Sequence, residues 1–259
     1  MKFQDKVILI TGASSGIGKA LALKVAKEGA IVVLIARGKE RLDHAVSDVQ
    51  KLSPKSLGLV CDVANPDSVR AVVHDVRKRF GRIDMLVNNA GVGLYKSVVD
   101  TELKEFEDLM KINYFGTVYM TKEVLPHMLK FGGGVIVNVA SVSGKTGFPH
   151  ISAYAASKFA VVGFTESLYY DVRKKGIQVH LICPGAVKTN FFNNESFASF
   201  PHEERHKGML SADVVANAIL EAIKTDTFEV FVPELGRYKY IGKNLLRKTY
   251  MNKVMKLPR

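Results

Sequence analysis

Short β-branched runs alternate with longer amphipathic segments along most of this 259-residue chain, and the alternation limits the folds that it can adopt. The first run, KVILIT (6–11), is typical of a buried strand, and the segment after it, 16–29, repeats apolar residues at helical spacing. Alternating units of this kind form right-handed βαβ crossovers and a parallel sheet with helices on both faces. The pattern therefore predicts a doubly wound α/β fold of three αβα layers, with about seven strands.

The predicted elements cover the chain up to residue 233. We predict strands at 6–11, 30–36, 56–63, 83–91, 135–141, 177–185 and 228–233. We predict helices at 16–29, 39–52, 67–81, 153–176 and 211–224, with two further helical regions flanking Asn113. No stretch rich in proline or serine divides the chain, so we expect one domain over 1–234 and a C-terminal extension at 235–259.

Composition limits where the protein is expected to work. Hydrophobic residues make up 47% of the chain, enough for a large core. No apolar run approaches the roughly 18 residues of a membrane-spanning helix, and the first residues run into a glycine-rich loop rather than a secretory signal. The cysteines, Cys61 and Cys183, lie inside apolar runs, as is typical of a reduced protein. We therefore expect a cytoplasmic protein, and no metal site is predicted.

The loop after the first predicted strand has the sequence TGASSGIG (11–18). Gly12 can turn without a Cβ penalty, and Gly16 and Gly18 allow a ligand to approach the start of the next helix closely. Unpaired N–H groups and the positive end of the helix dipole suit a pyrophosphate there. A tight turn without a ligand could carry the same glycines, but the position between strand and helix favours a Rossmann-like dinucleotide site.

Five motifs resemble those of the classical short-chain dehydrogenase/reductase family: TGASSGIG (11–18), NNAG (88–91), Ser141, YAASK (154–158) and PGAVKT (184–189). Their order and spacing match over roughly residues 5–232. The family contains nicotinamide-dependent oxidoreductases, among them reductases of 3-oxoacyl-acyl-carrier-protein and of lipid ketones. The resemblance implies cofactor contacts at Gly12, Ser14, Ser15, Gly16, Ile17, Gly18, Asp62, Val63, Asn88, Ala90, Gly91, Tyr154, Lys158, Pro184, Gly185, Val187 and Thr189.

Some of these residues have structural alternatives that the sequence leaves open. Asp62 could cap the next segment instead of lying beside the adenine. Asn88 and Asn89 could tie loops to strands instead of lining the ribose side.

The end of the second predicted strand, IARGK (35–39), bears on the choice between the two nicotinamide cofactors. An acidic residue at this point would bind the ribose 2′-hydroxyl and repel a 2′-phosphate. The acid is absent, and Arg37 and Lys39 follow instead. We expect NADP(H) rather than NAD(H), with Arg37 on the 2′-phosphate and Lys39 nearby; a solvated arginine is the alternative.

Tyr154 and Lys158 stand four positions apart on a predicted helix, so they share a face. A tyrosine with its ordinary pKa near 10 exchanges protons poorly near neutrality. Two unit charges about 4 Å apart interact by roughly 4 kcal/mol at an effective dielectric constant of about 20, which is worth about three pKa units. We therefore predict that Lys158 lowers the pKa of Tyr154 toward neutrality and makes it a usable acid and base.

A full catalytic set follows from these residues and the resemblance. A hydroxyl at Ser141 could hold the reacting oxygen, and the resemblance implies that Asn113 holds a water in a proton relay. The expected reaction is hydride transfer from NADPH to a carbonyl, with protonation by Tyr154, or the reverse oxidation of a secondary alcohol. Packing or solvation could explain each residue alone. A sensor or scaffold that binds the cofactor without turnover is the alternative for the whole protein.

The irregular segment 188–211 resembles the family's mobile substrate loop. Its phenylalanines predict an apolar carbonyl or acyl substrate, although packing against the next helix would explain them equally well. The residues expected to line the substrate pocket are Gly93, Leu94, Ser141, Val142, Phe148, Phe191 and Phe192, with Phe197 and Phe200 in the same segment.

Eight of the net +12 charges lie in the extension 235–259, which has no acidic residue. Many bacterial family members end instead in a glycine-rich segment that helps to build tetramers, so only a homodimer or some higher homo-oligomer is expected here. Three interpretations stay open: a helix packed on the domain or a partner subunit, a basic helix on an anionic membrane surface, or a disordered end. In the rest of the chain, acidic residues offset most of the positive charge of the basic residues, so no nucleic-acid partner is expected.

Overall fold

The structure is a computed structural model, and it describes residues 3–192, 195–197 and 208–255. The strands are β1 Val7–Thr11, β2 Ile31–Ala36, β3 Leu57–Val60, β4 Met85–Asn88, β5 Gly134–Val139, β6 Ile177–Pro184 and β7 Glu229–Val232. The helices are α1 Gly16–Lys27, α2 Lys39–Gln50, α3 Pro66–Phe80, α4 Leu103–Leu109, α5 Gly116–Lys130, α6 Ser152–Val172, α7 Ala212–Thr225, α8 Leu235–Leu245 and α9 Arg247–Val254.

The seven strands form one parallel sheet in the order β3-β2-β1-β4-β5-β6-β7. Ile8 of β1 is in register with Val32 of β2 on one side and Met85 of β4 on the other. The strand order therefore reverses at β1, and the crevice outside the carboxyl ends of β1 and β4 is where such a sheet binds ligands. The predicted Rossmann-like, three-layer fold is confirmed.

The core lies on both faces of the sheet, which explains why the strands are apolar without alternation. Successive residues point to opposite faces. Ile8 and Ile10 pack with Leu21 of α1 and Ile219 of α7. On the other face, Leu9 and Leu86 pack with side chains from α3, α5 and α6, which include Val73, Met120 and Leu168.

The predicted strand 56–63 is shorter in the structure because a turn begins soon after Val60. The carboxylate of Asp62 accepts a hydrogen bond from the Ala64 amide at 3.0 Å. Asn65 then caps α3 by accepting from the amides of Asp67 and Ser68 at 2.9 and 3.1 Å, and Pro66 begins the helix. Local polar caps thus end the strand before residue 63.

Asn113 lies inside a π-helical segment, Met110–Phe115, that joins α4 to α5. Such segments carry an extra residue per turn and occur often at functional sites. The side chain of Asn113 is buried as a result of this local geometry.

The C-terminal extension forms helices over 235–245 and 247–254 that pack on the domain, and 256–259 lie outside the described residues. Tyr240 stacks on Phe231 of β7 with 6.2 Å between ring centroids, and Lys243 donates to the carbonyl oxygen of Lys145 at 2.8 Å. Residues 235–254 are therefore helices packed on the domain, as one of the three interpretations expected, and the interpretation as a disordered end is wrong for them. Among the described residues, no helix combines the length and the apolar character needed to cross a membrane.

Candidate active site

The glycine loop is held tightly against the end of β4. Gly12 has a φ of +65°, and a Cβ there would lie 2.9 Å from both the Ala90 Cα and the Asn89 Nδ2. A Cβ on Gly18 would lie only 2.5 Å from the Gly12 carbonyl oxygen. These contacts require glycine at both positions, and they leave the backbone of the loop bare beside the start of α1.

Thr11 and Asn89 hold this loop in place: the tie between loop and strand that was one alternative for Asn89 is present, whereas no role was predicted for Thr11. The Thr11 hydroxyl accepts from the amides of Asn89 and Ala90 at 2.9 and 3.0 Å and lies 3.3 Å from the Val87 carbonyl oxygen. The Asn89 side chain donates to the carbonyl oxygens of Thr11 and Gly12 at 3.0 and 3.3 Å. The sequence feature that could have indicated these two residues is their position: both are polar and lie at the carboxyl ends of predicted strands.

Gly16 brings the glycine loop into contact with the PGAVKT segment. Its φ is +55°, and a Cβ there would lie 2.9 Å from the Thr189 Cγ2. The Thr189 hydroxyl in turn accepts from the Phe191 amide at 3.3 Å. A cavity of about 350 Å³ opens beside this contact, lined by Ser15, Gly16, Lys19, Lys188 and Thr189 among others. The bare loop and the neighbouring cavity fit a dinucleotide phosphate.

The corner beyond β2 is cationic. Arg37 and Lys39 are exposed, and Lys39 forms an ion pair with Asp43 at 2.5 Å. Arg37 forms no ion pair with any residue in the described ranges. Arg41 was not among the predicted cofactor residues. Its guanidinium lies within 3.9 Å of the position that a Cβ on Gly38 would occupy. Two arginines therefore flank Gly38, whereas the Lys39 ammonium is already paired.

Several other predicted cofactor residues have structural roles in this protein. Asp62 caps a turn, as described above, and Val63 is buried against Gly116. Asn88 is buried and donates to Asn138 Oδ1 at 2.9 Å and to Thr121 Oγ1 at 3.1 Å. The alternative of a strand tie therefore describes the side chain of Asn88, and the ribose contact stays a prediction.

The remaining predicted cofactor residues lie around the same crevice. Ser14, Ser15 and Ile17 are partly exposed on the glycine loop. Pro184 is buried at the end of β6 and Val187 is buried just beyond it, and the Gly185 amide donates to the Val232 carbonyl oxygen at 2.7 Å.

Ser141 and Tyr154 meet at the centre of the site. Ser141 follows β5, is buried, and accepts from the Ser143 amide at 3.1 Å, so it caps the short 3-10 helix Val142–Gly144. Tyr154 lies in the first turn of α6, and its hydroxyl is close enough to the Ser141 side chain to interact with it. The structure thus brings the strand-end serine and the helix tyrosine together, and the role of Ser141 toward the reacting oxygen stays a prediction.

The pKa expected for Tyr154 is not found. Burial raises the pKa of the Tyr154 hydroxyl to about 12, and the interaction with the Ser141 side chain opposes this only in part. Burial also lowers the pKa of Lys158 to about 8. The Lys158 Nζ lies 6.0 Å from the centroid of the Tyr154 ring and donates to the Val139 carbonyl oxygen at 3.0 Å. The prediction that Lys158 brings Tyr154 toward neutrality is therefore wrong for this structure, because desolvation outweighs the distant charge.

Asn113 uses its whole side chain to hold the backbone at Val92. Its Oδ1 accepts from the Val92 amide at 2.8 Å, and its Nδ2 donates to the Val92 carbonyl and to Ser157 Oγ, both at 2.9 Å. A Cβ on Gly91 would lie 3.1 Å from Asn113 Oδ1 and 3.4 Å from Lys158 Nζ. Asn113 is thus placed beside Lys158, and its role with a relay water stays a prediction.

Aromatic rings cover Tyr154. The Phe191 ring centroid lies 5.8 Å from that of Tyr154, and Phe197 lies 5.4 Å from Phe191 and 4.9 Å from Phe192. A Cβ on Gly93 would lie 2.5 Å from Phe191 and 2.6 Å from Phe197. The rings therefore pack on one another above Tyr154. Phe200, Asn193 and Asn194 lie outside the described residues.

The other residues predicted for the pocket lie around this cluster. Leu94 is buried next to Ala153, in the helix turn that carries Tyr154. Val142 lies beside Gly236 of α8, where a Cβ would be 3.1 Å from the Val142 side chain, and Phe148 is partly exposed. Val142 therefore lies between the site and the C-terminal extension.

Comparison with known proteins agrees with this geometry. The sequence model of a family described as short chain dehydrogenase matches residues 6–198. A 3beta-hydroxysteroid dehydrogenase of Mediterraneibacter gnavus is 39% identical over 189 residues, 73% of this chain and 68% of that protein. A 3-oxoacyl-(acyl-carrier-protein) reductase of Thermotoga maritima is 39% identical over 189 residues, 73% of this chain and 77% of that protein.

A solved short-chain dehydrogenase/reductase from Burkholderia phymatum, in complex with NAD, superposes with a TM-score of 0.85 and 29% identity over 95% of this chain and 96% of its own. Membership in one family explains both these matches and the sheet order, the glycine loop and the closeness of Ser141 to Tyr154. The chain belongs to the short-chain dehydrogenase family of nicotinamide-dependent oxidoreductases.

Proposed function

We propose that the protein is an NADP(H)-dependent oxidoreductase that interconverts a lipophilic ketone or 3-oxoacyl group and the secondary alcohol. The observation that carries the proposal is the approach of the Tyr154 hydroxyl to the Ser141 side chain beneath the Phe191 ring. A proton donor, a second hydroxyl and an apolar cover converge there on one point. This is the arrangement that a carbonyl oxygen on an apolar molecule requires.

The residues of the chain divide the chemistry as follows. The bound nicotinamide supplies or accepts the hydride. Ser141 and Tyr154 hold the substrate oxygen between their hydroxyls, and Tyr154 gives it a proton as the oxygen gains charge. With a pKa of about 12, Tyr154 carries its proton throughout the neutral range, so it is ready to act as the acid in reduction. Lys158 stabilises the phenolate that forms, since its ammonium lies 6.0 Å from the centre of the ring in a site with little water.

The preference for NADP(H) over NAD(H) rests on the corner beyond β2. No carboxylate occupies the strand end, and the Arg37 guanidinium is exposed and available for a phosphate. Arginine binds a phosphate through paired N–H groups, and Arg41 adds a second guanidinium beside Gly38. Lys39 contributes less, because Asp43 already holds its ammonium.

A lipophilic substrate is supported by the apolar cover over Tyr154. Phe191, Phe192 and Phe197 present aromatic surface next to the reacting position. The names of two relatives, a hydroxysteroid dehydrogenase and an oxoacyl reductase, point to the same substrate class.

The proposal is tested by following NADPH absorbance with a panel of lipophilic ketones and 3-oxoacyl thioesters. We expect turnover with at least one class, and loss of nearly all turnover in Tyr154→Phe with unchanged NADPH affinity. Near-wild-type turnover in Tyr154→Phe would contradict the catalytic assignment. Tight NADPH binding without oxidation by any compound would favour a sensor or scaffold instead.

The quaternary structure stays a prediction. We propose a homodimer or a higher homo-oligomer, and light scattering of the purified protein measures its mass. A mass equal to the single chain of 28.5 kDa would contradict this proposal.

A further inference from the structure

The helix α8 presents apolar side chains outward. Leu235, Tyr238, Ile241 and Leu245 repeat every three or four residues, so they lie along one helix face. They are 56%, 65%, 43% and 76% exposed. We call these four residues the apolar ridge. Large aliphatic and aromatic side chains in a row on a surface mark a site of interaction with another body.

The opposite face of α8 holds the helix to the domain, so the ridge is a fixed outer surface. Tyr240 stacks on Phe231, and the Lys145 ammonium lies 5.5 Å from the centroid of the Tyr240 ring. Lys243 donates to the carbonyl oxygen of Lys145, and Arg237 donates to that of Glu229 at 3.1 Å. These contacts leave the ridge pointing away from the core.

Exposed cations lie on α8, which carries the ridge, and on the following helix α9. The exposed cations are Lys239 on α8 and Arg247, Lys248 and Lys253 on α9, and none of them pairs with a carboxylate within the described part of the chain. Leu246 and Met251 add exposed apolar surface in the same segment. By contrast, the exposed Leu103 stands between Glu102 and Glu105.

The charge of this surface indicates which kind of binding partner it fits. A second copy docking the same surface through a two-fold axis would bring cations against cations, because Glu234, the acid next to α8, is already paired with Arg237. An anionic lipid bilayer offers negative charge in its headgroups and an apolar layer just beneath them. It matches both the ridge and the cations, whereas the phosphates of a nucleic acid would leave the ridge exposed to water.

We infer that the surface formed by α8 and α9 docks on an anionic membrane, with the apolar ridge inserted below the headgroups and Lys239, Arg247, Lys248 and Lys253 on the lipid phosphates. The inference does not depend on the proposed reaction. It would place Val142, which follows Ser141 and lies beside Gly236 of α8, close to the bilayer from which a lipophilic compound could enter.

The test is flotation of the full-length protein with vesicles of phosphatidylcholine alone or mixed with phosphatidylglycerol. We expect binding to the anionic vesicles only, weakened at about 1 M salt, where the Debye length falls to about 3 Å. Replacing Lys239, Arg247 and Lys248 together by Gln should reduce the partition coefficient about 100-fold. Ile241→Gln with Leu245→Gln should reduce it about 10-fold or more.

Matched controls carry the same changes elsewhere on the surface. Lys55→Gln, Lys78→Gln and Lys174→Gln together remove three exposed charges, and Leu103→Gln removes an exposed leucine. These controls should bind vesicles like the wild type, and all variants should keep the wild-type circular dichroism and NADPH affinity. Equal binding to neutral and anionic vesicles, or equal loss in the controls, would overturn the inference. So would a fall in oligomer mass of the Ile241→Gln/Leu245→Gln variant without lipid, because the ridge would then be a contact between copies.

Discussion

The ammonium of Lys158 lies 6.0 Å from the centroid of the Tyr154 ring, and its hydrogen bond goes to the Val139 carbonyl oxygen, not to the phenol. One helical turn thus brings the two side chains to one face without joining them. The lysine is a buried cation that donates to a backbone carbonyl, and the tyrosine is a partly buried residue whose desolvated hydroxyl stays neutral. The electrostatic cost of this arrangement is open to measurement.

Replacement of Lys158 by Met should stabilise the cofactor-free fold near pH 7 while abolishing most turnover. The folded pKa of Lys158 is about 8 and the ordinary value is 10.5, so burial disfavours the charged form. This gap corresponds to at most roughly 3 kcal/mol, part of which the lost hydrogen bond to Val139 offsets.

The protonation of Lys158 determines how the difference in stability between the wild type and Lys158→Met changes with pH. Below pH 8 both states of the wild type hold the proton, so the burial cost is fully present. Between pH 8 and 10.5 the unfolded chain binds more protons, so the stability of the wild type rises relative to Lys158→Met. Urea unfolding of both proteins across this range measures the difference. A constant difference from pH 7 to 10.5 would show that the lysine is not desolvated.

Gly93→Val should impair turnover of bulky substrates without weakening NADPH binding. Any Cβ at this position meets Phe191 and Phe197 within 2.6 Å, so the rings must move off Tyr154. We expect kcat/KM to fall about 10-fold or more for a lipophilic ketone. Gly147→Val is the matched control, because a Cβ there meets nothing within 4 Å. Equal losses in both variants would remove Gly93 from the substrate side.

Arg37→Ser should raise the Kd for NADPH about 10- to 100-fold, the usual range for losing a hydrogen bond to a charged group, and leave the Kd for NADH unchanged. Lys39→Ser should have a smaller effect, since Lys39 is already paired with Asp43. Titration of each variant with both cofactors measures this. A parallel loss of affinity for NADH would mean that Arg37 does not recognise the 2′-phosphate.

Lys145→Met should destabilise the protein by about 2 to 3 kcal/mol, because it leaves two carboxylates without their buried partner. Burial lowers the pKa of Lys145, but Glu229 and Glu166, at 2.7 and 3.0 Å, outweigh it and raise the pKa above the ordinary value. The partial exposure of both carboxylates keeps the figure below that of a fully buried pair.

Lys104→Met is the control for this measurement. It breaks an exposed pair with Asp108 on one helix, which is worth about 0.5 kcal/mol or less. Chemical denaturation should separate the two variants clearly. Similar losses of stability in both would show that the contacts of Lys145 are screened by water.

The β/α alternation was sufficient to predict the sheet, because a chain that repeats buried strands and amphipathic helices has few ways to cover both faces. The glycine loop and the YAASK helix could be placed for the same local reasons. The tie that Asn89 makes was only one of two alternatives, and Thr11 was missed, because their partners lie 76 or more positions away in sequence. A hydroxyl at a strand end has no visible role until the neighbouring strand is known.

The sequence by itself determined the order of elements, the bare glycine loop and the spacing that puts a tyrosine and a lysine on one helix face. These follow from backbone geometry and the hydrophobic period, which are local. Only the tertiary structure decided that Lys158 turns to Val139, that Phe191 covers Tyr154, and that α8 packs one face inward and leaves an apolar ridge outside. Desolvation and side-chain contacts depend on residues distant in sequence, so they could be assessed only once the fold had brought these residues together.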